Sequence, residues 1–436
     1  MTSRKIQIMH KWILKQKNKR QKPVYLNNKP NTSKNLYKSL IDNEITQKNS
    51  EYSIKCFSDV NEINKQAWDE ILAENELISS YAFIKALSES AINVEKYFYL
   101  VVYKKGQIIA HTYTYIIRQD LMLFQKGWMT KLVSFIKKIF PYFLMIKAFE
   151  CGCPVGLGKT IVIRSDPGID KEQVLNIITD KIEELGRKEK ADLLIIRDIY
   201  KKEPIYDKIF CQHNFIKANN LPDVQIRIRW QSFEQYQNDL RYNYRRFVKK
   251  CFKTMQTQNI KVEYVYEFSN LAIQLKSLYQ NCYENANELR REILTKEFFQ
   301  CMDKYLLKKT MVILLKKQEK LIGFAFFLLD NDIARLVYVG MDYKEKKSNL
   351  TYFNLFYQGL KFAIEQKYKK LELGITSYEF KIKMGGELLS LYAYLKHFNK
   401  TINRILHSSV NLLFPVKELA SRHPFKDKNE DQTKNN

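Results

Sequence analysis

The chain has 436 residues, with 73 Lys and Arg against 47 Asp and Glu, a formal net charge of +26 at pH 7, and 45% hydrophobic residues. That length accommodates two domains or three, each large enough to bury a core. The positive balance points to anionic partners (nucleic acid, phosphate-rich cofactors, anionic lipid), although a bias toward Lys, Asn and Ile equally accounts for lysines scattered over a solvated surface. The seven cysteines form no paired framework and include no Cys-x-x-Cys, which argues against a disulfide scaffold and for a reducing compartment. No window reaches the roughly 18 uninterrupted apolar residues of a membrane span. Arg4, Lys5 and Lys11 are followed by no apolar region, so no signal peptide is expected and the expected location is cytoplasmic.

In chain order, residues 1–50 are dominated by Lys, Arg, Asn and Gln and read as a basic, solvated tail. The first domain, 51–220, opens with a strand at 52–57. Helical patterns follow at 63–72, around Trp68, and at 80–90, around Phe83 and Leu87. Two strands, 97–103 and 108–115, are joined by a Lys-Lys-Gly-Gln turn. An amphipathic insertion is placed over 121–160. Its apolar stretch, 127–150, carries Trp128, Phe135, Phe140, Met145 and Ile146 with interspersed lysines. It suits a core helix or a lid over the cleft between domains, or a helix at a membrane interface. Gly156-Leu-Gly158-Lys159-Thr160 superficially suggests a phosphate-binding loop. That motif needs glycine five positions before Gly158, where Cys153 stands, and it needs a preceding apolar strand; a turn after Pro154 is the better account. A helix at 174–185 and a buried strand at 192–197 complete the first domain.

The second domain, 221–400, begins with a strand at 221–230. A helical stripe follows over 233–255, with Arg241, Arg245, Arg246, Lys249, Lys250 and Lys253 on its other side; this is a solvated face or a phosphate-facing wall. Three short apolar strands then form a meander at 310–315, 321–329 and 333–340. The period changes to helical from Leu350 to Ile364, after Ser348-Asn349, and returns to a strand at 369–374. Hairpin, helix and strand therefore occur twice, which predicts two copies of one α/β unit with the insertion in the first. Residues 401–436 read as a C-terminal tail. The six histidines are scattered and lack carboxylates at ligand spacing, so no metal is expected. Nothing in the sequence supports a covalent nucleophile.

The Val339-Gly340 loop before the helix, the Gly-Leu-Lys-Phe-Ala-Ile-Glu helix end, the Glu372-Leu373-Gly374 strand, and Tyr378-Glu379-Phe-Lys381 followed by Gly385 carry a resemblance. The chain resembles the acyl-CoA N-acyltransferase (GNAT) superfamily, and within it the FemAB-like branch of peptidoglycan biosynthesis or recognition, over roughly residues 53–398. The resemblance implies an α/β fold of two tandem GNAT-like domains, each a mixed, mainly antiparallel sheet flanked by helices. The first would be a scaffold and the second catalytic.

It further implies transfer of an acyl or aminoacyl group to an amine, with acyl-CoA (acetyl-CoA above all) as donor. The donor would lie between strands that splay apart, against Val339, Gly340, Met341, Ser348, Asn349 and Leu350. The loop at 343–349 lacks the Gly-x-Gly/Ala of ordinary GNAT proteins. Lys344, Lys346 and Lys347 could compensate, and aminoacyl-tRNA stays open as donor. Glu372 and Glu379 are the candidate general bases and Tyr378 a proton donor. Lys381, Asn354, Tyr357, Arg245 and Arg246 are candidate substrate contacts. The acceptor would be a small-molecule or lipid-linked amine, such as a cell-envelope precursor, met at the inner face of an anionic membrane. Two other classes remain on this reading: a non-catalytic binding protein on the same fold, and a basic RNA-binding protein.

Overall fold

A computed structural model describes residues 51–120, 145–201, 203–286, 291–345, 350–416 and 422–426. The basic tail, positions 121–144 of the insertion, and Ser348 and Asn349 lie outside the described residues.

The first lobe opens with β1 (Tyr52–Phe57), two short helices, α1 (Lys65–Asp69) and α2 (Tyr81–Glu89), and the hairpin β2 (Lys96–Lys104) and β3 (Gln107–Asp120). The turn of the hairpin holds Lys105 and Gly106 at φ 50° and 78°. Two successive left-handed residues are what a two-residue hairpin requires to match strand twist. Next come β4 (Met145–Cys151), β5 (Val162–Ile163), α3 (Lys171–Lys188), β6 (Leu193–Tyr200), α4 (Pro204–Gln212) and β7 (Ile216–Asn219). Met145 and Ile146, read from their hydrophobicity as part of the inserted helix, instead open β4. That strand pairs antiparallel with β3 and parallel with β6, and both of its neighbours are distant in sequence.

The second lobe contains β8 (Asp223–Arg227), α5 (Phe233–Asp239), α6 (Tyr242–Thr257), β9 (Ile260–Val265), α7 (Ala272–Asn285), α8 (Lys296–Leu306) and the meander β10 (Thr310–Lys317), β11 (Lys320–Leu329) and β12 (Ile333–Met341). The β10–β11 turn repeats the first hairpin with Gln318 and Glu319 at φ 49° and 61°. Then follow α9 (Thr351–Glu365), β13 (Lys370–Glu372), α10 (Tyr378–Lys383), β14 (Glu387–Leu389), β15 (Leu391–Lys396) and α11 (Lys400–Leu413).

The strands form two mixed, mainly antiparallel sheets. The first runs β1-β2-β3-β4-β6-β15-β7, with β5 added beside β3, and the second runs β14-β8-β13-β12-β11-β10-β9. The two sheets exchange a strand. After β7 the chain crosses into the second sheet, where β8 lies between β13 and β14. After β14 it returns to the first, where β15 lies between β6 and β7.

The lobes also share a core. Trp68, Phe83 and Leu87 below the first sheet pack in one cluster with Leu275, Phe298 and Phe299 of α7 and α8 and with Phe324 and Phe326 of the second sheet. The outer faces are covered separately, the first by α3 through Ile178 and Ile182, the second by α6 and α9 through Val248, Leu355 and Leu360. The middle layer is thus helices contributed by both lobes, and burying its aromatic rings welds the two sheets together. Among the described residues no helix is long and apolar enough to cross a membrane.

A chain cut after Ser390 loses the strand that joins β6 to β7. Hydrogen exchange should then show β7 unprotected and β6 protected only on the edge it shares with β4, and protection of β7 equal to that of the full chain would contradict the exchange.

Candidate functional site

β12 and β13 run parallel for only three rungs, from Ile333–Lys370 to Arg335–Glu372. Beyond that rung they part. On its other edge β12 carries a bulge: Phe327 faces Leu336 and Phe326 faces Tyr338, leaving Val337 as the extra residue. A bulge bends its strand and increases the local twist, here turning β12 away from β13. A cavity of about 290 Å³ opens in the gap, lined by Leu336 to Val339 on one side and Glu372 to Ser377 on the other. α9 contributes Tyr352 and Phe356, one helical turn apart. The first lobe contributes Ile78, Val155, Gly156, Leu157 and Arg197.

At the last shared rung Arg335 donates through Nε to Glu372 Oε2 (2.6 Å) and through Nη1 to Asp330 Oδ2 (2.7 Å). Its Nη2 reaches the Asn75 carbonyl of the first lobe at 3.1 Å. Glu372 and Asp223, the first residue of β8, are bridged by one side-chain amide: Gln225 Nε2 donates to Glu372 Oε1 and to Asp223 Oδ2, both at 3.0 Å. Asp223 is fully buried, and among the described residues its Oδ1 has no hydrogen-bond partner, although the residue lines the cavity. Burial, and then the neighbouring Glu372 carboxylate, push the Asp223 carboxyl up to about 7. Burial also raises Glu372, but the Arg335 guanidinium opposes it. Two adjacent carboxyls with one fixed cation leave the second holding its proton near neutrality.

The turn after β13 holds Gly374, Thr376 and Ser377 at φ 69°, 70° and 48°. Two non-glycine residues in the left-handed region mark a strained turn at the cavity wall. Lys381, buried on α10, ties it down by donating to the carbonyls of Gly374 (3.0 Å) and Ile375 (2.8 Å).

Of the residues chosen from sequence, Glu372, Lys381 and Val339 line the cavity. Glu379, read as a general base, points instead to the surface, where Lys383 (2.7 Å) and Arg422 (3.8 Å) hold it ionised. Tyr378 is buried with its hydroxyl donating to the Pro222 carbonyl (3.0 Å). Asn354 and Tyr357 are buried on α9, and Tyr357 packs against Phe247 and Phe380. Neither lines the cavity, because Tyr352 and Phe356 occupy the helix face that does. Gly340 and Met341 lie one step past the cavity wall. A Cβ at Gly340 would meet the Phe324 ring and the Leu278 backbone, so this glycine serves sheet-to-helix packing. Leu350 is left-handed (φ 51°) at the start of α9. Arg245 and Arg246 are on α6 and do not line the cavity.

Asp223, Gln225, Arg335, Arg197 and Glu292 were not picked out by sequence reasoning, yet all but Gln225 line the cavity. The available signal was a charge inside an otherwise apolar strand, as in Ile-Ala-Arg335-Leu-Val and Leu-Leu-Ile-Ile-Arg197, since such charges are buried only when paired or used.

Because the folded-state carboxyl of Asp223 sits above its unfolded value, the stability it contributes is full below about pH 4. It is lost as pH rises toward 7. Asp223→Asn should therefore melt like the wild type near pH 4 and higher than it at pH 8, by several degrees in a thermal scan. A difference independent of pH would contradict the assignment.

A solved structure of FemX superposes on 79% of this chain and 98% of its own with a TM-score of 0.52 at 11% identity, a likeness of fold. A tandem GNAT protein from the clavulanic acid biosynthesis pathway aligns over the same shares, with a TM-score of 0.48 at 7% identity. Two Mycobacterium tuberculosis proteins (strains CDC 1551 / Oshkosh and ATCC 25618 / H37Rv), whose name 8-amino-7-oxononanoate synthase 2 is itself provisional, are 27% identical over 329 residues. That match covers 73% of this chain and 42% of theirs, so the chain spans less than half the length of these relatives. The FemAB-like family model, described as peptidoglycan biosynthesis/recognition, matches residues 59–427. With two tandem GNAT-like units and a match of that extent, the chain belongs to the FemAB-like family.

Proposed function

We propose that the chain is a transferase that moves an acyl or aminoacyl group from an activated carbonyl donor to an amine on a cell-envelope precursor. The observation that carries this reading is the Asp223 carboxyl. It is buried, bridged through Gln225 to the Arg335-paired Glu372, and carries an oxygen without a hydrogen-bond partner among the described residues, at the wall of the cavity where β12 and β13 part. General-base help to an attacking amine is most effective when the acceptor's pKa lies near working pH, and a carboxyl near 7 meets that condition.

In this reading the amine nitrogen attacks the donor carbonyl and a C–N bond forms. The C–S bond of an acyl-CoA, or the C–O bond of an aminoacyl-tRNA, breaks. Asp223 receives the amine proton and returns it to the departing thiolate or alkoxide, so that the carboxylate is regenerated. Among the described residues the edge of β12 from Leu336 to Val339 has no strand partner on the cavity side, so its N–H groups are the donors for the developing oxyanion. Arg335 opposes the upward shift that burial imposes on Glu372, and Lys381 holds the wall opposite. Acyl-CoA is the proposed donor and aminoacyl-tRNA the competing one. A lipid-linked acceptor would place the reaction at an anionic membrane.

The test is single-turnover transfer from radiolabelled acetyl-CoA and from a pool of aminoacyl-tRNA to envelope precursors. With the competent donor, the rate should rise with pH through a midpoint near 7. Asp223→Asn should lower it by about 10²–10⁴-fold, whereas Glu379→Gln should leave it within about threefold. Full activity of Asp223→Asn would overturn the reading, and transfer from neither donor would favour a non-catalytic recognition protein.

A further inference from the structure

The cavity contains a second buried polar atom without a partner, and it comes from the first lobe. Arg197 leaves β6 and lies against Gly152, where an added Cβ would strike its Cγ at 2.3 Å. The absence of a side chain at Gly152 therefore makes room for the guanidinium. Arg197 lines the cavity, its side chain is only 10% exposed, and among the described residues its Nη1 has no hydrogen-bond partner.

The acids around it are committed elsewhere. Arg197 Nε donates to Asp198 Oδ2 (2.8 Å), and the other oxygen of Asp198 accepts from Asn220 (2.9 Å). Glu150, 3.9 Å from Nη1, accepts from Gln119 through Oε1, and from Tyr115 and Arg291 through Oε2. Glu292 lines the same cavity, and burial pushes its carboxyl up to about 7 even though Arg197 opposes the shift. The nearby acid that faces the cavity is thus raised toward neutrality rather than fixed as an anion, and Arg197 Nη1 is left for an oxygen that no described residue supplies.

Two residues that line one cavity therefore each carry a buried polar atom without a hydrogen-bond partner among the described residues, an acceptor on Asp223 (Oδ1) and a donor on Arg197 (Nη1). We propose that the acceptor substrate is an amine that also carries a carboxylate, with its nitrogen on Asp223 of the second lobe and its carboxylate on Arg197 of the first. The proposal rests on the assignment of Asp223 as the group that receives the amine. It makes the first lobe part of the recognition site, with Arg197 as the residue that selects among amines. A carboxylate suits this position because the fixed fork of a guanidinium discriminates strongly in favour of planar oxyanions.

The test is equilibrium binding by titration calorimetry with no acyl donor present. It uses unbranched ω-amino acids from glycine to 6-aminohexanoate, each against the alkylamine of the same length. At least one amino acid should bind tenfold or more tightly than its matched amine. Arg197→Met should reduce that preference to below twofold while leaving alkylamine affinity within twofold. Arg197→Lys, which keeps the charge and loses the fork, should fall between them, and it serves as the variant should Arg197→Met not fold. If no amino acid binds more tightly than its amine, or if the preference survives in the folded variants, the proposal is overturned. A preserved, Arg197-dependent preference without transfer from either donor would leave this site standing and remove the transferase reading.

Discussion

The site depends on one buried ion pair, Arg335 with Glu372, placed at the last rung where β12 and β13 are still paired. Taking two charges out of water is costly, and such a pair persists only when its remaining donors and acceptors are satisfied. Here they are: Asp330 and the Asn75 carbonyl take the rest of the guanidinium, and Gln225 takes the other oxygen of Glu372. The pair contributes less to net stability than it costs to break, since removal of one partner typically loses about 3–5 kcal/mol. Its consequence is local. Burial, and after it the neighbouring Glu372 that the pair holds in place, keeps the proton on Asp223 until near neutrality.

The same pair ties the lobes together, because the Asn75 loop of the first lobe docks on the β11–β12 turn. Besides the Arg335 contact, Asp330 accepts from Leu77 N (3.0 Å) and Asn75 accepts from Asp332 N (2.9 Å). Together with the exchanged strands β8 and β15 and the shared aromatic core, this makes the wall between lobes a permanent part of the cavity. Asp223 is itself the first residue of an exchanged strand. The exchange therefore does more than stabilise: it brings a carboxyl from the link between lobes to the place where the second sheet opens.

The sequence makes the meander, the helix at 351–365 and both hairpins legible, because each is encoded in local periodicity and in turns of one or two left-handed residues. β4 and β15 are not legible, since their partners lie far away in the chain and their apolar patterns fit more than one element. The site is divided in the same way. Glu372 and Lys381 stand in a recognisable motif and do reach the cavity. Glu379 stands in the same motif, yet the helical turn of α10 carries it to the surface, away from buried Lys381. Asp223, Arg335 and Arg197 are single charges in strands, and only the pairing of those strands shows that they converge. Tyr352 and Phe356, rather than Asn354 and Tyr357, face the gap because the tilt of α9 selects the lining face, and tilt is set by tertiary packing.

The central claim is that a carboxyl at the parting of β12 and β13 changes protonation in the range where an amine can be acylated. Carbon-13 NMR of the aspartate carboxyls, with Asp223 assigned by its disappearance in Asp223→Asn, measures this directly. The account predicts a titration midpoint near 7 for Asp223 in the free protein. A midpoint near 4, that of an ordinary solvated aspartate, would contradict it.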